Sequence, residues 1–144
     1  MKQPPETNLV LTKQEAALRQ IEAACEAFWN GDFDICITLS GAAEGMAPEP
    51  DGALLRRLAY DPRRPPHLSQ KEWVSILNQG RDWLKHVTPH FDDTIELDAG
   101  DAAHALMRAM QRWEPWSESM QAAKRWYLGR VAEFIESQRR TEER

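Results

Sequence analysis

Cysteine is scarce in this chain of 144 residues: there are two, Cys25 and Cys36, and no CxxC spacing. That scarcity excludes a disulfide-framed fold and the zinc or redox sites built on paired cysteines. No apolar run approaches the ~18 residues of a membrane span. The first eleven residues, MKQPPETNLVL, carry one lysine and no long apolar segment behind it, so neither a secretory leader nor a membrane partner is expected and the cytoplasm is the simplest compartment. Positive charge is short as well. Eighteen Lys and Arg against 23 Asp and Glu leave a net charge of −5, which excludes a broad basic face gripping nucleic acid through phosphates. The one dense basic cluster, Arg56-Arg57 with Arg63-Arg64, falls in a proline-rich stretch and reads as a solvated loop.

What is present is helical periodicity. Apolar residues at 42% and charged residues at 28% are ordinary for a soluble domain, and the length suits one core. Residues 1–11 read as a flexible arm and residues 12–138 as a helical bundle with a proline-rich loop at 47–67. Residues 139–144 read as a charged tail. Thr12 to Glu15 form a capping box, and Leu18, Ile21, Ala24, Cys25 and Phe28 make one apolar face up to the Asn30-Gly31 turn. With Asp32 as cap, a second helix follows in which Ile35, Cys36, Leu39, Ala42, Ala43 and Met46 form the stripe. The two cysteines flank the hairpin turn. They are expected as reduced core residues, and whether they lie close enough to bridge stays open.

A second capping box, Ser69 to Glu72, starts a helix through Trp73, Ile76, Leu77, Trp83 and Leu84 that Pro89 ends. Thr94 to Asp98 reads as an extended connector. Asp98 or Asp101 caps a fourth helix (Ala102, Ala105, Leu106, Ala109, Met110, Trp113), and a fifth runs from Ser117 through Ala123, Trp126, Tyr127, Val131, Phe134 and Ile135. The expectation is a single-domain, all-α bundle of about five helices, with most of the six tryptophans in the core or at a dimer interface and His104 on a polar flank.

The stretch Gly80 to Asp93, GRDWLKHVTPHFDD, concentrates the reactive side chains. As a metal site it would offer His86, His90 and Asp92, with Glu44 as a further ligand, but Pro89 interrupts the helix between the histidines and no metal or other cofactor is expected. As structure alone, Lys85 and His86 complement the dipole at a helix carboxyl end while Trp83 and Leu84 belong to the core stripe. Glu44, within the small-residue run Ser40 to Gly45, faces either solvent or a partner.

Arg81-Asp82-Trp83-Leu84-Lys85-His86 resembles the R-x4-H motif of the higher eukaryotes and prokaryotes nucleotide-binding superfamily, HEPN. The phrase Phe28 to Asp34 with the Ala-rich helix up to Glu44 is similar to the first hairpin of those domains. The resemblance implies a homodimer and an RNA- or nucleotide-directed role, in active members metal-independent RNA cleavage. Arg81 would stabilise the transition state, Asp82 would be its polar neighbour and His86 the acid or base. It also implies an antitoxin-like protein partner. Two positions depart from the pattern: Asp82 stands where active members commonly have Asn, and Thr88 where a tyrosine often follows. The alternative is a non-enzymatic homodimeric module in which Glu44, Arg81 and His86, with Lys85 beside them, form a polar network that fixes helix packing.

Overall fold

Thr12 opens the first helix by accepting a hydrogen bond from the Glu15 amide at 3.1 Å, which satisfies one of the amides a helix start leaves unpaired. Helix α1, Lys13–Asn30, buries Ala17, Ile21, Ala24, Cys25, Ala27 and Phe28, the face expected from the spacing. It ends at Gly31, whose φ of 82° lies in the left-handed region open to glycine. The Gly31 amide reaches back to Phe28 O at 3.2 Å and the Asp32 amide to Ala27 O at 2.9 Å. The protein is described here from a computed structural model, in residues 1–48, 64–86 and 94–144.

Helix α2, Phe33–Gly45, folds back along α1. Asp32 occupies its N-cap position without a side-chain cap bond, because its ψ of 66° departs from the extended geometry that aims a capping oxygen at the first turn. The buried face also differs from the expected stripe. Cys36, Ile37, Ser40, Gly41 and Ala43 are buried, whereas Ile35 and Ala42 are exposed. The rotation follows from partner choice: α2 turns Ser40, Gly41 and Ala43 inward, where a second helix and an arginine cross it closely.

The helix expected from Ser69 onward is two. Helix α3, Gln70–Leu77, begins with the complete Ser69/Glu72 capping box. Asn78 (φ −98°, ψ 0°) ends it, and helix α4, Gln79–Lys85, follows directly. Asn-Gln-Gly is a poor helix interior, and the Asn78 side chain is engaged elsewhere, as described below. Residues 94–98 carry no helix or strand, in keeping with a connector, and Asp98 with Asp101 forms the capping box of helix α5, Ala99–Met110. Helix α6, Glu118–Glu142, is 25 residues long and continues through residues assigned from sequence to a tail. Among the described residues the fold is all-α, with six helices and no strand, in one domain. No described helix is long and apolar enough to cross a membrane. The greater part of the loop assigned to 47–67 (residues 49–63, with Arg56, Arg57 and Arg63) and the segment 87–93, with His90, Asp92 and Asp93, lie outside the described residues.

The core lies where α1, α2 and α5 meet, with the first half of α6 closing it. Helix α5 is buried almost all round, from Ala102 to Met110. Trp113 donates from Nε1 to Ala43 O at 2.8 Å, and Trp116 donates to Met110 O at 2.8 Å, so each indole nitrogen is satisfied while its ring packs. Phe28 stacks edge-on to Trp126 at 5.2 Å. Cys25 and Cys36 are buried free thiols. Burial is the main reason their pKa values rise, to about 11 and about 12, with each thiol partly offset by a neighbouring serine. Both therefore stay protonated and unreactive near neutrality.

Candidate functional site

Among the described residues, the one charged side chain buried in the core is Arg108, in the middle of α5. A guanidinium cannot shed its charge by deprotonation, so its position is tenable only with partners. It has two: Nη2 donates to Glu44 Oε1 at 2.9 Å, and Nη1 donates to Asn78 Oδ1 at 2.7 Å. Arg108 is 5% exposed and Glu44 10%, so the pair is shielded from water and couples α5 to α2. Asn78 extends the tie to the break between α3 and α4.

Arg81, on α4, reaches the same carboxylate from the other side. Its Nη1 stands 3.7 Å from Glu44 Oε1, with the side chain 25% exposed, and its Nη2 donates to Gly41 O at 3.5 Å. Gly41 is the position that lets it cross: an added Cβ would lie 3.2 Å from Arg81 Nε. Both contacts of Arg81 are long, so its guanidinium retains donor capacity, whereas that of Arg108 is largely spent.

These groups line a cavity of about 370 Å³ bounded by α2, the α3–α4 break, α5 and the connector at 94–97. His104, one turn before Arg108, lines it too. Its ring is half-buried, not placed on a polar flank as expected from sequence. Burial first, and the Arg108 charge second, lower its pKa to about 4, so the ring is neutral at physiological pH. Two buried polar atoms in this group have no hydrogen-bond partner, His104 Nε2 and Arg108 Nε.

The residues singled out from sequence divide accordingly. Glu44 and Arg81 meet, but the third member of their network is Arg108 and not His86. His86 follows the last residue of α4 in an extended conformation (φ −129°, ψ 141°) and is exposed. It does not line the cavity that Arg81 lines. Asp82 is half-buried, and no ion pair joins it to Arg81, since successive residues on a helix point apart. Lys85 is exposed in the last turn of α4, suited to the helix dipole. Among the described residues no three His, Cys, Asp or Glu side chains gather as a metal site would require; His90 and Asp92 are outside them. Sequence reasoning missed Arg108 and Asn78. The available signal was an arginine inside the apolar run AHALMRAM, a place where burial demands a carboxylate opposite.

No protein-family model, curated protein or solved structure matches the chain.

Proposed function

We propose that this chain is a non-enzymatic, HEPN-like helical module that acts through association, with its arginines serving the fold. The observation that carries this reading is the close tie of Arg108 to the Glu44 carboxylate at 2.9 Å, with Arg81 3.7 Å from the same oxygen and His86 outside their cavity. Cleavage of RNA needs a proton-transfer group within reach of the cation that steadies the phosphate. His86 does not line the cavity that Arg81 lines.

The partner is a second copy. Beyond its buried Met120 and Ala123, α6 runs on past the body, with residues 128–142 spanning about 22 Å at the helical rise. Leu128, Phe134 and Ile135 are exposed there, and a helix of that length is marginal in water without a packing partner. Residues 128–144 balance Arg130, Arg139, Arg140 and Arg144 against Glu133, Glu136, Glu142 and Glu143, so they are neutral, while the rest of the chain holds the whole net charge of −5. A neutral, apolar-striped extension meets its own copy without repulsion and offers no field to draw a polyanion.

One preparation tests both halves. Light scattering is expected to give twice the 16.6 kDa chain mass, and Phe134→Asp to give the single mass with an unchanged far-ultraviolet spectrum. Mixed RNA incubated with chelator should stay intact with wild type and with His86→Ala. A monomeric wild type sinks the self-association; cleavage by wild type that His86→Ala abolishes restores the catalytic alternative.

A further inference from the structure

The geometry points to a ligand site in the cavity between α2, α4 and α5, for a small organic monocarboxylate with a short apolar tail. The head of that ligand is specified by what the cavity leaves unpaired. Arg108 is 5% exposed, lines the cavity, and has an Nε–H with no acceptor. Leaving such a donor unsatisfied costs about 1–3 kcal/mol, which an acceptor brought within its reach would recover. Arg81 adds spare donors: Glu44 is 3.7 Å away and Gly41 O 3.5 Å, both outside good charge-assisted distance. Two arginines against Glu44 sum to +1, which matches one carboxylate, with Glu96 and Asp101 exposed at the lining.

The tail is specified by the walls. Ile37, Ile76, Leu77 and Leu97 face the same space, and at about 370 Å³ it lies at the small end of ligand pockets, about 300–1,000 Å³. A phosphate dianion fits poorly. It would sit against Glu44 with Glu96 and Asp101 at the lining, and it would leave the apolar wall unused. A cation would stand against the charges of the two guanidinium groups. The neutral ring of His104, with Nε2 buried and unpartnered, adds one hydrogen-bonding position without adding charge.

Calorimetric titration of the full chain tests this with three probes: hexanoate, 1-hexanol, which keeps the tail without the charge, and inorganic phosphate. Hexanoate is expected to bind saturably at one per chain, and more tightly than either control. Arg81→Gln should weaken it about tenfold, the loss of one charge-assisted bond. Ala105→Met, which extends a side chain into the cavity from α5, should abolish binding in a chain whose circular dichroism is unchanged. No saturable binding of hexanoate, equal binding of phosphate or hexanol, or full binding by Ala105→Met overturns the site. Should Arg81→Gln fail to fold, the Ala105→Met result and the order of the three probes decide.

Discussion

Replacing Glu44 with alanine is expected to lower the unfolding free energy by about 3–5 kcal/mol, the range for stripping one partner from a buried ion pair. The loss falls on Arg108. At 5% exposure it cannot be hydrated in place, and its guanidinium stays charged at any accessible pH. The 2.7 Å bond to Asn78 would remain to it, with a neutral partner. Arg81 contributes little to the loss, because a quarter of its side chain already meets water and exposed pairs are worth about 0–1 kcal/mol. Glu44→Gln, which keeps an acceptor oxygen, should cost less than Glu44→Ala. The cycle of Glu44→Leu, Arg108→Met and their combination should be strongly non-additive, with the double variant closer to wild type than the sum of the singles. Urea unfolding followed by circular dichroism reads all of these. A loss under about 1 kcal/mol for Glu44→Ala would mean that Arg108 finds water or another acceptor, and the network would no longer explain how α2, α4 and α5 are held.

The parts of this arrangement legible in the sequence are those with one dominant signal. Helix α1 has a capping threonine, a clean apolar face and a terminal glycine, and every position assigned to its core is buried or packed against it. Helix α2 offers no such contrast: FDICITLSGAAEG has few polar residues to mark an outer face, so hydropathy put Ile35 and Ala42 on the buried stripe, whereas the structure leaves them exposed. What decides the rotation is size. Ser40 and Gly41 turn inward because α5 and the Arg81 side chain approach there, and Ile35 is left outside. The R-x4-H spacing was read on one continuous helix, whereas His86 follows the last residue of α4 in an extended conformation. Five residues along a helix are already about 140° apart at 3.6 residues per turn, and His86 leaves the helix altogether. Glu44 was noticed for its small neighbours, but its partner lies 64 residues on, a separation that no local pattern reports. His104 and Arg108, one turn apart on α5, carried the signal together: two polar side chains on one edge of a helix otherwise buried all round.

Acidification should weaken the fold through His104 by an amount comparable to the loss of a buried side chain. In the unfolded chain the ring takes up a proton below its ordinary value of 6.5, whereas in the folded chain it resists until about 4. Between those limits the unfolded state binds more protons, so the stability contributed by the neutral ring is complete above 6.5 and drains as pH falls toward 4. The window corresponds to about 2 kcal/mol by pH 5 and on the order of 3 kcal/mol at its lower end. The charges around the ring explain the direction. Arg108 lies one turn along α5, Arg81 faces the same cavity from α4, and Glu44 on α2 is occupied by both, while Asp101 is bound up in the α5 capping box. Glu96 also lines the cavity, yet burial and the Arg108 charge set the direction. Urea unfolding between pH 7.5 and 4.5, compared for wild type and His104→Gln, isolates the contribution, because the common titration of surface carboxylates cancels. Wild type should lose stability more steeply, by about 2–3 kcal/mol across the window. Parallel curves would show that the ring gains its proton as readily in the folded chain as in the unfolded one, and the cavity would then carry a positive histidine beside two arginines.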